Sequence, residues 1–280
     1  MKTLFINNNN NPCHYEILET FIIKYKELFK ITENLEIYLY FKTDNTNTDF
    51  VKYIKDKYKN IKLEIPKHFN YYICTTIYDR DFNNIKKNTN YIYISHEITD
   101  RLKALSNVYF LSPLQNVKNY IYCDILPFNT IKQKTDIPYY YIQGNIHPFR
   151  RNYNLLEKIL SKTYKYDFKF VMLGRGSLPE KLKKYKDKII VKSNLSFTNY
   201  HKEFTKCYCI LPLITKNTHP HYYKNKLTST INYTKAYNLL CLIDKDLQDI
   251  YKLNNVELFN NENDICEVFE KTLLSFYNKV

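Results

Sequence analysis

Residues 127–144 read PFNTIKQKTDIPYYYIQG, and the change of character inside this stretch decides the fold. Pro127–Pro138 is polar, bracketed by prolines and without hydrophobic period, which marks a linker. Tyr139–Gln143 is then a short aromatic and β-branched run closed by Gly144, which marks a strand and a turn. Strand and helix patterns alternate on both sides of this seam, so the chain starts the same series twice.

Before the seam the predicted strands are Thr3–Ile6, Leu35–Phe41, Ile61–Ile65, Tyr71–Thr76, Tyr91–Ser95 and Val108–Leu111. Amphipathic stretches lie between them, such as Tyr15–Phe29, where Ile17, Leu18, Phe21, Ile22, Tyr25 and Leu28 share a face, and Asp49–Tyr58. After the seam the series runs strand Tyr139–Gln143, helix Arg151–Ser161, strand Phe168–Leu173, helix Leu178–Lys184 and strand Lys188–Lys192. It continues with helix Asn199–Lys206, strand Cys207–Leu211, helix Thr228–Asn238, strand Leu239–Ile243, helix Leu247–Tyr251, strand Val256–Phe259 and helix Asp264–Tyr277. Apolar strands alternating with helices imply parallel sheets covered on both faces. The expected fold class is therefore α/β, with two Rossmann-like domains facing a central cleft: residues 1–130 and residues 131–280. At 280 residues with 44% hydrophobic side chains, the chain has material for two medium cores.

No run approaches 18 consecutive apolar residues, and Met1–Asn11 lacks the apolar stretch of a signal peptide. The expectation is a soluble cytoplasmic protein without a membrane span. The seven cysteines are odd in number, scattered and embedded in apolar runs, as suits reduced, buried thiols. Cys207 and Cys209 with His219 and His221 have the ligand types of a zinc site, but a Cys-x-Cys pair within a strand lacks the tight turn such sites use.

Net charge is +14, which calls for an anionic partner: nucleic acid, an acidic membrane or a phosphorylated small molecule. Heavy use of Asn, Lys, Ile and Tyr, with only 3 Gly and no Trp, suggests an AT-rich coding genome, and part of the lysine excess then reflects codon usage. The three glycines fall at the ends of predicted strands: Gly144, and Gly174 with Gly176. Glycine serves positive φ or close approach of a ligand to the backbone, and strand C-termini are where open α/β sheets bind ligands; tight turns alone would also explain them. From Phe204 to Ile243 there is no Asp or Glu, yet there are five lysines and two histidines. Lys226, Thr228 and Ser229 sit just before a helix start, where side-chain donors and free N–H groups make a phosphate site; a solvated loop is the plainer reading. Tyr223 joins this candidate group. Arg150 and Arg151 follow Gly144 on the same predicted rim, where an arginine could neutralise a diphosphate.

Taken in order, Tyr141-Ile-Gln-Gly-Asn-Ile with Arg150/Arg151, Val171-Met-Leu-Gly-Arg-Gly-Ser-Leu-Pro-Glu, the strand and loop around Ile190–Phe197, Ile210-Leu-Pro, and Lys226-Leu-Thr-Ser-Thr-Ile-Asn-Tyr-Thr-Lys-Ala-Tyr-Asn-Leu-Leu-Cys-Leu-Ile resemble the donor-binding domain of GT-B glycosyltransferases. The resemblance covers roughly residues 139–260. The composition is similar to that of glycosyltransferases of large DNA viruses, including the short exostosin-like ones of chloroviruses. The resemblance implies a glycosyltransferase, a hexosyl- or pentosyltransferase, whose second domain binds a UDP- or GDP-sugar through Gly144, Arg150, Gly174, Gly176, Tyr223, Lys226, Thr228 and Ser229, with backbone near Ile190–Ser193 meeting the base. The acceptor would be an oligosaccharide or glycoprotein, a viral capsid glycan among them, with no nucleic acid as partner. The last helix, Asp264–Tyr277, would pack back on the N-terminal domain.

One departure bears on mechanism. Retaining GT-B enzymes commonly carry two glutamates around the phosphate helix, and the acid-free stretch excludes that pair. An inverting, metal-independent reaction with no further cofactor is the expectation. It needs a general base from the first domain. Candidates at strand C-termini are His14, Asp79 and His96, the last followed by Glu97; Asp81 stands close to Asp79, and helix capping is the bland role for each. Three rival readings stay open. Asp79-Arg-Asp81 is an Asp-x-Asp triplet after an apolar strand, as in metal-dependent GT-A glycosyltransferases. A basic nucleic-acid-binding protein is the alternative of another class, prompted by charge and by 29 tyrosines. A chain with this fold but no catalysis is a third.

Overall fold

The computed structural model describes residues 1–8, 17–42, 48–123, 125 and 131–278. Two compact units result: Met1–Leu126 with Asn225–Leu227, and Pro127–Lys224 with Thr228–Val280.

In the first unit, strands β1 (Thr3–Asn8), β2 (Glu36–Phe41), β3 (Ile61–Lys62), β4 (Tyr71–Ile77), β5 (Tyr91–Ser95) and β6 (Val108–Phe110) form one sheet in the order β3-β2-β1-β4-β5-β6. Every pairing is parallel. The helices are α1 (Leu18–Phe29), α2 (Thr48–Lys57) and the single turn α3 (Asp100–Lys103). Helix α1 buries Leu18, Phe21, Ile22 and Tyr25, the stripe that its 3.6-residue spacing predicts.

In the second unit, β7 (Tyr139–Gln143), β8 (Lys169–Gly174), β9 (Ile189–Ser193), β10 (Cys207–Ile210), β11 (Leu240–Asp244) and β12 (Val256–Phe259) form a second parallel sheet, ordered β12-β11-β10-β7-β8-β9. Its helices are α4 (Tyr153–Leu160), α5 (Phe197–Glu203), α6 (His221–Lys224), α7 (Ser229–Ala236), α8 (Lys245–Tyr251) and α9 (Ile265–Tyr277). Counted within each unit, both sheets read 3-2-1-4-5-6, the doubly wound order whose direction reverses between the first and fourth strands. The two reversals fall between β1 and β4 and between β7 and β10.

The second core explains where the last helix goes. Tyr140 is fully buried and packs its ring 4.6 Å from Phe269 of α9, with Phe168 and Phe170 around it. Its hydroxyl hydrogen-bonds Thr272 at 2.9 Å. The apolar stripe of this last helix is built into its own unit's core. One difference is local. Glu180–Lys188, read partly as helix, is a kinked 3-10 segment, because only Leu182 among these lysine-rich residues is buried and no apolar stripe rewards a regular α-helix.

Candidate functional site

Open α/β sheets bind ligands beyond the strand C-termini, at the reversal of strand order. In the second unit that point is the end of β7 beside the end of β10. Strand β7 closes on Gln143, and Gly144 leaves it at φ +115°. The loops after β7 and β8 then run side by side: Gly144 N donates to Leu173 O at 2.9 Å, and Ile146 N to Arg175 O at 2.6 Å. A Cβ on Gly174 would overlap the Gly144 carbonyl, and one on Gly176 (φ +123°) would sit 2.5 Å from Ile146 O. Gly174 and Gly176 are therefore required by the contact between two neighbouring loops. Gly144 is different, since its missing Cβ makes room for a side chain, the guanidinium of Arg151.

Arg151 is only 4% exposed. Its Nη2 donates to Gln143 O and reaches Thr230 Oγ1 at 3.4 Å, its Nη1 donates to Arg150 O at 2.6 Å, and its Nε is buried without a partner. Among the described residues no carboxylate forms an ion pair with it. Burial lowers its pKa, but a guanidinium keeps its charge. A desolvated cation without a counter-ion costs several kcal/mol by order of magnitude, a cost that a bound anion would offset.

The partner of Arg151 lies in the first turn of α7. The helix's ladder begins with Ile231 N donating to Thr228 O at 3.1 Å, so the Ser229 and Thr230 N–H groups stand outside it. Thr228 is buried and at the N-cap, yet its hydroxyl points to Thr230 Oγ1 at 3.4 Å instead of capping the helix. Free N–H groups, the positive end of the helix dipole and the Arg151 guanidinium thus converge, a combination suited to a phosphate.

After β10 the chain carries a strained residue: buried Leu213 has φ 51°, and its carbonyl accepts from Asn152 N at 2.7 Å. Such a backbone costs about 1–3 kcal/mol and marks sites where geometry is held for a purpose. His219 follows on the same loop, 4% exposed, with Thr218 Oγ1 2.8 Å from its Nδ1. Burial first, then His221 and Arg151, hold its pKa down at about 4. The folded state therefore prefers neutral His219. The stability this gives is whole above the unfolded pKa near 6.5 and is lost as pH falls towards 4, by roughly 3 kcal/mol at the limit. Urea denaturation at pH 7 and pH 4.5 should show a steeper loss for the wild type than for His219→Gln. Equal losses would refute this role.

The other expected donor contacts distribute unevenly. Arg150 is exposed, and Arg151 is the buried one of the pair. The Tyr223 hydroxyl donates to Asp244 Oδ1 at 3.0 Å, the carboxylate that caps α8 through Leu247 N. Lys226 groups with the first unit: Asn225–Leu227 lies there, Lys226 bridges Glu97 in antiparallel fashion, and Ile98 N donates to Asn225 O at 2.8 Å. Ser193, near the expected base contacts, has a buried hydroxyl without a partner. Sequence reasoning missed Gln143, Tyr200 and Thr230. The available signal was a lone polar residue closing the otherwise apolar run YYYIQ.

In the first unit, Asn8 and Thr75 meet at the ends of β1 and β4 (2.6 Å), and Thr76 Oγ1 lies 3.4 Å from His96 Nε2. His14 lies outside the described residues. Asp79 accepts from Thr99 Oγ1 at 2.6 Å and pairs with Arg101 at 3.3 Å, while Asp81 accepts from Tyr78 N at 2.9 Å. The metal-triplet reading is corrected on this ground and on the fold: the two carboxylates serve different partners in a 3-10 turn, and the chain holds two Rossmann-like units. Among the described residues no helix is long and apolar enough to cross a membrane.

No family model and no curated protein matches the sequence. Solved structures do match over nearly the whole chain. The glycosyltransferase AviGT4, involved in avilamycin A biosynthesis, superposes with TM-score 0.60 at 9% identity, covering 98% of this chain and 88% of that one. HepE from Anabaena, in complex with UDP and glucose, gives 0.59 at 7% identity, covering 99% and 91%. An α-glucosyltransferase in complex with UDP and a 13-mer DNA gives 0.58 at 10% identity, covering 97% and 89%. The fold they share with this chain is the GT-B fold of two Rossmann-like domains.

Proposed function

We propose that the chain is a glycosyltransferase that moves a sugar from a nucleoside-diphosphate sugar to an acceptor hydroxyl. The observation that carries this reading is Arg151, buried without a carboxylate at the end of β7 and touching the first turn of α7. The second unit takes the donor, its diphosphate lying between the Arg151 guanidinium and the Ser229 and Thr230 N–H groups. Gly144 and Gly174 shape the floor beside it. UDP is the first candidate nucleotide, since two of the similar structures carry it, and GDP the second.

The first unit takes the acceptor, a glycan hydroxyl, and supplies the base. His14 or His96 fits that role better than Asp79, whose carboxylate is already ion-paired with Arg101. The base removes the hydroxyl proton as oxygen bonds to the anomeric carbon. The bond from that carbon to the diphosphate breaks, and its electron pair stays on the phosphate oxygen beside Arg151. A cation fixed where charge develops is the efficient kind of electrostatic stabilisation. The acid-free stretch from Phe204 to Ile243 supports an inverting course, and Arg151 with the helix dipole supplies charge that a metal would otherwise supply.

Thermal unfolding with a panel of nucleotides tests the reading. With EDTA present, one nucleoside diphosphate at 100 times its Kd should raise the melting temperature by about 5 °C. A shift only with Mn²⁺ would overturn the metal-independent course, and no shift with any nucleotide would remove the assignment.

A further inference from the structure

Gln143 is 4% exposed at the last position of β7, and its amide touches two helices at once. Its Nε2 donates to Tyr200 OH of α5 at 2.7 Å; its Oε1 accepts from Thr230 Oγ1 at 2.9 Å. Ser229 Oγ lies 3.3 Å from Nε2 and 3.4 Å from Oε1, within reach of both ends of the amide. The main-chain oxygen of the same residue accepts from Arg151 Nη2. One residue therefore fixes both the guanidinium and the helix start that surround the proposed diphosphate.

The amide itself is held from behind. Tyr200 stands beside His201 and Phe204, which pack on Tyr233 of α7 and on Tyr237 just after it; Phe204 stacks on Tyr233 with ring centroids 4.9 Å apart. The phenol oxygen accepts from the amide nitrogen, and the amide oxygen accepts from Thr230. An apolar residue here would fill the same volume but leave the polar groups of α5 and α7 without this link. A polar one is needed only if the α7 turn must be held in register with β7.

We propose that Gln143 is the positioning residue of this site, its amide setting the first turn of α7 against Arg151 so that the two together receive a diphosphate. The inference rests on the donor-site reading above. It makes Gln143→Glu and Gln143→Leu behave differently. Glutamate keeps the acceptors for Thr230 and Ser229 and adds a negative charge beside the guanidinium and the helix start. That charge stabilises the empty protein and opposes the anion. Leucine keeps the volume and removes the amide, so Tyr200, Ser229 and Thr230 each lose a hydrogen bond to it.

Calorimetric titration and thermal unfolding are run on the full chain with UDP and with GDP. Expected for Gln143→Glu is a melting temperature equal to or above the wild type, with affinity for the bound diphosphate at least 30-fold weaker. Expected for Gln143→Leu is a lower melting temperature with affinity about 10-fold weaker. Affinity unchanged in Gln143→Glu, with the wild type binding normally, overturns the positioning role alone. A drop in melting temperature with no loss of affinity in the folded fraction of either variant does the same. A wild type that binds neither UDP nor GDP overturns the donor-site reading and this inference with it.

Discussion

Replacing Arg151 with methionine is expected to weaken nucleoside-diphosphate binding by about 100-fold while changing stability by no more than about 1 kcal/mol. The two numbers come from the same environment. Hydrogen bonds to a charged group contribute about 1.5–3 kcal/mol each, and a guanidinium facing a phosphate makes two, so their loss amounts to a factor of 100 or more. In the empty protein, Arg151 gains bonds to the Gln143 and Arg150 carbonyls. Against these stand desolvation of the charge, absence of a carboxylate and an unpaired Nε. Methionine has similar length and carries no charge to desolvate. An arginine serving the fold would behave oppositely: its removal would unfold the chain by 3–5 kcal/mol by order of magnitude. Titration calorimetry with UDP and GDP, paired with urea denaturation, separates the two. A variant that binds as the wild type does removes Arg151 from the site.

The fold was legible because its signal is periodic and repeated. Each strand on both sides of the seam has a short apolar run in the sequence, and the helix stripes of α1, α4 and α9 are the faces the core covers. One-turn helices such as α3 and α6 lack length for a period, and escape such reading. The site was legible by region but not by residue. The sequence points to Gly144, the arginine pair and the turn before α7, but adjacent arginines look alike until packing exposes one and buries the other. Lys226 adjoins α7 in sequence, yet it belongs to the first unit, where its backbone pairs with Glu97, and chain proximity carries no information about such pairing. The hydrogen bonds of Gln143 link positions 57 and 87 residues apart, beyond any local pattern.

Gly174→Ala is the substitution expected to damage the fold most, by about 4 kcal/mol, seen as a fall of about 10 °C in melting temperature. The cause is backbone against backbone. A Cβ at residue 174 would occupy the space of the Gly144 carbonyl, and neither chain can withdraw. Gly174 is the last residue of β8, paired with Ser193 of β9, and its own carbonyl accepts from Asn194 N at 3.1 Å. Gly144 is held by its bond to Leu173 and, on the far side, by the Arg151 guanidinium. Relief therefore requires parting β7 from β8 at their C-terminal ends, which breaks main-chain hydrogen bonds and moves the floor of the donor site. Gly144→Ala makes the control, because its new Cβ meets only the tip of Arg151. That tip is a side chain and can shift where a backbone cannot, so the main cost is the positive φ, about 1–3 kcal/mol, while diphosphate affinity falls with the displaced guanidinium. Thermal unfolding of both variants orders them: Gly174→Ala below Gly144→Ala, which lies below the wild type. A Gly174→Ala protein melting with the wild type would mean that the loops after β7 and β8 do not touch.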